Sequence, residues 1–472
     1  MCGVAGICLH PQGKEIILRM ANALRHRGQS ATGVACYNVK GGVIRIEKGR
    51  GGVDTAFDGT DKLDEMDGEF WMAHTRYPTA GANTKANQQP QWSGFGSGRF
   101  VVAANGDFNQ QAQREFLASQ DITMDTDNDA EVLAATLGYH VVNRGHNMVE
   151  AIQHTMEHVP GAFSTMAMFG NKRYPYFYAF RDPNGIRPLI YAKITDFRGR
   201  YHLFASETCA IYAAYAFMRS QPNSNGLEIE TMRWVEPGEI IEVAGDGSVK
   251  SFFYHKERFN RLCLMEMFYF SRPDSLYDLK SRISFDTLRN RLGAAAYKQF
   301  NIDADLVGPV PRSGKPFSMG YANASGIHYR EFIIRNPELH QHVRNFIEPD
   351  REATITEKYR IINDIVRGKR VLVGDDSVIE GKTSRILVQV FRKIGVKEVQ
   401  FLSSAPPCQH PCFLGMHYKD PLKLVAYRNT LDEISDSIGC PVNYLDLKRT
   451  YQTEGFTKGE HCDGCFTGNY PV

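Results

Sequence analysis

Near residue 250 the chain changes rhythm, and that change constrains the fold more than any other feature. Before it, short β-rich runs recur at 43–47, 100–104, 174–180 and 239–243, with helical stretches such as 130–142 between them. Turn residues at Pro237-Gly238 and Gly245-Asp246-Gly247 close that half. From about Leu279 helix and strand alternate. Helices are expected over 283–300 and 384–394, and buried strands over 304–309, 370–373 and 398–403. Such alternation reads as a parallel α/β sheet, distinct from the β-rich first half. A length of 472 residues allows two or three domains. The boundaries drawn are 2–255, 256–445 and a C-terminal tail over 446–472.

The chemistry of the first half starts at Cys2, directly behind Met1. Removal of Met1 leaves a thiol and an α-amine on one residue, and an amine of pKa roughly 8 can act as base for its own side chain. The thiolate is the form that attacks a carbonyl carbon. A cysteine at position two is commonly incidental, so context decides. That context is M-C-G-V-A-G-I at 1–7, H-R-G-Q at 26–29, H-T-R-Y-P-T-A-G at 74–81, N-G-D-F-N at 105–109 and D-N-D-A-E at 127–131. Each is a small or polar turn beside an apolar run, as site loops on a rigid sheet should be.

Together these motifs resemble the class II (N-terminal nucleophile, Ntn) glutamine amidotransferases. The resemblance implies an αββα sandwich, with Cys2 as nucleophile and Asn105 with the Gly106 N–H as oxyanion hole. It also implies Arg76 on the glutamine α-carboxylate and Asp129 on its α-ammonium, with Thr79 and His74 in lesser positions. Ser30-Ala31-Thr32-Gly33 follow Gln29 where the family commonly carries an acidic residue. That departure implies a weaker link between glutamine hydrolysis and a second site.

In the second half V-L-V-G-D-D at 371–376 runs into S-V-I-E-G-K-T-S at 377–384. A strand–loop–helix presents backbone N–H groups to a phosphate. A nucleoside-triphosphate loop fails on spacing, because Asp376 stands where that motif requires glycine. Asp375 and Asp376 suit ribose hydroxyls or Mg2+, and Ser377, Gly381, Lys382, Thr383 and Ser384 suit a 5-phosphate. This resembles the type I phosphoribosyltransferases, which use phosphoribosyl pyrophosphate (PRPP) and Mg2+. P-V-P-R-S-G at 309–314 is similar to their pyrophosphate loop, with Ser313 as a Mg2+ ligand by resemblance.

With both halves present, the chain resembles the amidophosphoribosyltransferase family over nearly its whole length. The resemblance implies glutamine hydrolysis at Cys2 and passage of ammonia to C1 of PRPP, giving phosphoribosylamine, pyrophosphate and glutamate. Tyr77 is then a coupling residue. Two departures stand out. Glu380 and Lys382 replace Arg and Thr of the family's phosphate loop, and a carboxylate beside a phosphate is unfavourable unless it faces solvent. The closing loop over 348–360 keeps a basic residue at the expected place only in Lys358. These departures leave open a paralogue aminating a different phosphorylated sugar or nucleotide, or a regulator that only senses nucleotides.

Cys462 and Cys465 form C-x-x-C near the C-terminus. Resemblance adds Cys263 and Cys412 and favours a structural 4Fe-4S cluster over Zn2+, with Cys408 as the rival ligand. Cys8, Cys36, Cys209 and Cys440 read as packing residues. Lys+Arg number 55 against 53 Asp+Glu, a balance that argues against a general nucleic-acid or membrane-surface role. No run of 18 apolar residues and no charged-then-apolar leader is evident, and ten cysteines without a disulfide framework fit a reducing cytoplasm. A homotetramer inhibited by purine nucleotides is the analogy the family supplies.

Overall fold

The computed structural model describes residues 1–59, 61–77, 84–96, 98–170, 176–222, 224–336, 357–416 and 418–472. The chain forms two compact units. One comprises 1–262 with 413–417 and Val472, the other 263–412 and 418–471. The division falls at 262/263 rather than at 255/256, and nearly all of 446–472 packs into the second unit instead of standing apart.

The first unit is built on two antiparallel sheets. Its strands are β1 (Gly3–Cys8), β2 (Ala31–Asn38), β3 (Val43–Arg50), β4 (Phe70–Arg76), β5 (Gln91–Phe95), β6 (Gly98–Phe108), β7 (Gly161–Phe169), β8 (Tyr176–Arg181), β9 (Ile190–Asp196), β10 (Gly199–Ala205), β11 (Glu228–Trp234), β12 (Glu239–Ala244) and β13 (Val249–Phe253). The sheets run β11-β9-β10-β1-β4-β2-β3 and β13-β12-β8-β7-β6-β5. Val4, Tyr37, Phe70 and Met72 of the first meet Val101, Met166, Phe177 and Val243 of the second in one dry core. β1 is buried at every position, so it reads G-V-A-G-I-C with no polar alternation. Gly6 is obligatory, because a Cβ there would stand 2.7 Å from Phe177 Cζ of the facing sheet.

Helices α1 (Gly13–Ala23) and α4 (Thr208–Ser220) pack together and cover the first sheet. Between them in the chain, α2 (Asp129–Gly138) and α3 (Met148–His158) cover the second. α1 buries Ile16, Ile17, Met20 and Ala21, the stripe of a helix lying on a sheet. The result is the αββα sandwich expected. The expected helix over 130–142 is regular only to Gly138; the chain then widens into a π-turn, Tyr139–Asn143.

The second unit holds a parallel sheet of β14 (Leu306–Pro309), β15 (Arg370–Asp375), β16 (Glu398–Ser403) and β17 (Val442–Tyr444). Its helices include α5 (Phe285–Gln299), α6 (Lys315–Ser325) and α7 (Lys382–Ile394). α5 starts later than expected because the Ser284 side chain accepts the Thr287 N–H as N-cap. β14 starts at Leu306 because the Asp305 carboxylate turns to the Arg370 backbone N–H (2.8 Å) and guanidinium (2.7 Å). α5 and α6 approach through glycine: a Cβ on Gly320 would lie 2.0 Å from Asn290 O, and one on Gly293 2.1 Å from Phe317 O.

That approach is testable by Gly320→Ala. The added methyl faces backbone that cannot yield, so a loss of about 1–3 kcal/mol is expected. It would be read as a lower urea midpoint for the second unit, and an unchanged midpoint would refute the close approach.

Candidate active site

In the first unit, β1 leaves the N-terminus beside the uncovered end of β6. β5 pairs with β6 only as far as Gln91↔Val102, while β7 continues to Phe108↔Gly161. Asn105 and Gly106 lie beyond β5's reach. The Cys2 backbone N–H donates to Asn105 Oδ1 at 3.2 Å, and Asn105 is fully buried. Its Nδ2 has no partner among the described residues. A buried amide N–H without an acceptor is costly unless something else accepts it, and an oxyanion is one group that can.

Cys2 Sγ lies 3.5 Å from both the backbone N and O of Tyr77. Cys2, Arg76, Tyr77, Gln89, Ala104, Gly106, Asn128 and Asp129 line one cavity. Arg76 ends β4, where it is 3 % exposed and donates to the Asn87 carbonyl. Asp129 opens α2 behind the N-cap Asn128, whose side chain accepts from Ala130 N–H. Burial, then the neighbouring Asp107 and Cys2, push the Asp129 carboxyl up to about 7, against the pull of Arg76. Two opposite charges in one small buried cavity can clamp both ends of an amino-acid head group.

Four contributors, Arg27, Glu207, His26 and Gln89, were not singled out from sequence. Arg27, fully buried, donates Nε to the Cys2 carbonyl at 2.9 Å and Nη1 to Glu207 Oε1 at 2.6 Å. His26 Nε2 meets the same Glu207 oxygen at 2.7 Å. Gln89 joins β6 to the clamp, accepting from Ala104 N–H at 2.7 Å and donating to Asp129 at 3.5 Å. The H-R-G-Q motif carried the signal for Arg27; Glu207 is distant in sequence and had none. Gly28 admits the loop against β4, since a Cβ there would meet Arg76 C at 2.4 Å. Gly106 is needed for packing, because its Cβ would sit 1.8 Å from Ala162 O. His74 is buried, and desolvation followed by Arg76 draws it down to about 3, so it stays neutral. Thr79 lies outside the described residues.

In the second unit the C-terminal ends of β14 and β15 meet, the usual place for ligands in a parallel sheet. Val310 N–H donates to Gly374 O at 2.8 Å, which seats the 309–314 loop against the acidic pair. Ser313 Oγ donates to Asp376, as does Ser377 Oγ at 2.8 Å. Asp375 and Asp376 are both buried, and burial plus the Asp376 charge raise Asp375 well above the carboxylate range. Lys358 opposes that rise. Ser377, Thr383 and buried Ser384 flank the loop, and Gly381 enters α7 at φ 71°, a conformation that excludes a side chain without strain. Glu380 does not simply face solvent: its carboxylate pairs with Lys382 at 3.3 Å and is mostly covered. Most of the 348–360 loop lies outside the described residues.

Cys263, Cys408, Cys412, Cys462 and Cys465 are all buried in this unit. A hydrogen bond with Cys408, burial, and the neighbouring Cys263 and Cys412 push the Cys465 thiol well up. Cys462 and Cys465 both act on Tyr451 and Tyr470. Cys408 therefore joins the four expected residues. Cys8, Cys36, Cys209 and Cys440 are buried elsewhere as packing residues; burial raises Cys36 to about 11 and Cys440 to about 12.

Layering and thiol site together define an Ntn-type glutamine amidotransferase carrying a second, phosphoribosyltransferase-like unit. A family profile described as a glutamine amidotransferase domain matches residues 74–213. All of this chain aligns with the amidophosphoribosyltransferase of Methanothermobacter thermautotrophicus, at 32% identity over 487 residues and 94% of that protein. The Synechocystis amidophosphoribosyltransferase aligns at 34% over 481 residues and 91% of its length. The solved glutamine PRPP amidotransferase of Bacillus subtilis, complexed with ADP and GMP, gives a TM-score of 0.84 at 30% identity, covering 100% of this chain and 97% of that one. The chain belongs to the amidophosphoribosyltransferase family.

Two measurements check the first cavity. Asn105→Ala should lower the rate of glutamine hydrolysis about 10²- to 10³-fold while Cys2 still reacts with iodoacetamide. Because Asp129 must be charged to hold an ammonium, kcat/KM for glutamine should fall as pH drops through about 7. Asp129→Asn should raise KM roughly 10- to 100-fold and remove that limb; a limb unchanged in the variant would exclude Asp129 as its source.

Proposed function

We propose that this chain is a glutamine-dependent amidophosphoribosyltransferase. It hydrolyses glutamine in the first unit and aminates C1 of PRPP in the second. The observation that carries the reading is Cys2, bonded through its backbone N to Asn105, inside a small cavity that also holds Arg76 and Asp129. Full-length similarity to amidophosphoribosyltransferases supports it and lends nothing to a different acceptor.

Loss of Met1 turns the Cys2 backbone N–H into an α-amine held at Asn105 Oδ1. The amine takes the thiol proton, and the thiolate adds to the side-chain carbonyl carbon of glutamine. Asn105 Nδ2 and the Gly106 N–H receive the oxyanion. The amine returns its proton as the C–N bond breaks, releasing ammonia, and water then cleaves the thioester to glutamate. Arg76 and Asp129 keep the carbonyl in register with the sulfur. Tyr77, whose backbone touches Cys2 Sγ, is suited to report PRPP binding to the thiol.

In the second unit, ammonia displaces pyrophosphate from C1. The N–H groups opening α7, with Ser377, Gly381, Thr383 and Ser384, suit the 5-phosphate. Asp375, Asp376 and Ser313 fit Mg2+ because two adjacent buried carboxylates want a divalent cation. That ion, when bound, neutralises the leaving pyrophosphate. Lys382 balances Glu380 and preserves a neutral rim beside the phosphate loop.

Cys263, Cys412, Cys462 and Cys465 would hold a structural 4Fe-4S cluster. All four are buried in the second unit, and four thiolates are the usual ligand set of such a cluster. Purine nucleotides as inhibitors, a homotetramer and a reducing cytoplasmic setting complete the proposal. No helix among the described residues is long and apolar enough to cross a membrane.

The test is PRPP-dependent glutamate release with phosphoribosylamine formed in equal amount. Cys2→Ala should abolish glutamine-dependent product yet keep ammonia-dependent product, and loss of both would count against separate sites. Glu380→Gln should free Lys382 and lower KM for PRPP about two- to fivefold, worth roughly 0.5–1 kcal/mol; a raised KM would show that the carboxylate helps binding.

A further inference from the structure

Away from both sites, the first unit gathers histidines where α2 ends and α3 runs. His140 lies in the π-turn after α2, His146 in the loop that follows, and His154 and His158 on α3. Ring centroids are 4.4 Å apart for His146–His154, 4.9 Å for His140–His154 and 5.6 Å for His140–His158. The segment H-T-M-E-H puts His154, Glu157 and His158 on one helical face. One ligand atom from each lies within 4.8 Å of the others.

Hydrogen bonding prepares these side chains as ligands. His158 Nδ1 is 2.8 Å from the His154 carbonyl, so it donates there and leaves the Nε2 lone pair free. Lys256 holds Glu157 Oε1, while Oε2 faces His154 Nδ1 at 3.7 Å. His140 Nδ1 and His146 Nδ1 are buried with no hydrogen-bond partner among the described residues. Ring stacking explains the proximity of the imidazoles but satisfies neither nitrogen.

We infer that His154, Glu157 and His158, closed by His146, bind a divalent transition-metal ion of the Zn2+ type. Imidazole ligands select Zn2+, Ni2+ or Cu2+ over Mg2+ and Ca2+. Four protein ligands leave no open position, so the site is structural, not hydrolytic. It ties α3 to the loop that follows the π-turn at the far end of α2, the helix whose first residue is Asp129. Ten residues of helix separate that end from Asp129 by about 15 Å, so the ion stiffens the clamp's support without touching glutamine.

The experiment uses chelator-treated full-length protein titrated with Zn2+ by calorimetry, and with Co2+ by absorbance. Wild type should bind one more equivalent of Zn2+ than His154→Gln/His158→Gln. Its thermal midpoint should rise by several degrees with Zn2+ and not with Mg2+. The Co2+ difference spectrum should show d–d bands without sulfur charge transfer, separating this site from the cysteines. His146→Gln, off the helix, should weaken Zn2+ at least tenfold, and Cys2-dependent glutaminase activity in both variants verifies folding. Equal stoichiometry in wild type and the double variant, or a difference spectrum showing sulfur ligation, would overturn the inference.

Discussion

The bond from Cys2 N to Asn105 Oδ1 spans the two sheets of the first unit, and the site depends on it. Cys2 precedes β1 of one sheet; Asn105 belongs to β6 of the other. The Cys2 nitrogen and the Asn105 amide, the proposed nucleophile and oxyanion donor, therefore hold their positions only while the sandwich keeps its spacing. Gly6 sets part of that spacing by admitting Phe177. Packing, through a glycine with no chemical role, fixes where chemistry can occur.

Charge burial does the rest. Arg27 and Glu207 are almost completely covered, and a buried pair is as much a desolvation cost as a gain. Here the pair fixes position: Arg27 Nε reaches the Cys2 carbonyl, so the residue is held at its carbonyl by one charge network and at its nitrogen by Asn105. Arg76 and Asp129 follow the opposite logic. Desolvation lowers Arg76 and raises Asp129, a pairing of opposite charges that suits the zwitterionic head group of the proposed substrate.

Much of this was legible in sequence because it depends on local pattern. The parallel strand over 398–403 appeared at its expected bounds, since an apolar run flanked by turns has few other readings. Cys2, Arg76 and Asp129 sit in short motifs, and the fold brought them into one cavity, with Asn105 bonded to the Cys2 backbone N. What escaped was non-local. Glu207 faces Arg27 across some 180 residues, and no spacing rule connects them. The Cys408 contact with Cys465 likewise arises from tertiary proximity, so C-x-x-x-C could not rank Cys408 against Cys412. The break of α2 at Gly138 was hidden because a π-turn preserves helical periodicity for a few residues.

The phosphate loop shows how a charge can change its meaning once placed. As sequence, Glu380 is a negative charge near an anion, which opposes binding at roughly 332/(εr) kcal/mol. In the fold the offending oxygen is 3.3 Å from Lys382, and a dipole formed there falls off faster with distance than a lone charge. The substitution of Glu for Arg and of Lys for Thr therefore leaves a neutral pair, one positive charge short of the family's loop rather than a bare negative charge. Lys382 is also the first residue of α7, so in the proposed function its own N–H serves the phosphate while its ammonium pairs with Glu380. The backbone then contributes the attraction that side-chain cations contribute elsewhere in such loops. On that reading phosphate recognition does not depend on the arginine, because the helix terminus, entered through Gly381 in the left-handed conformation, carries no side-chain charge to lose.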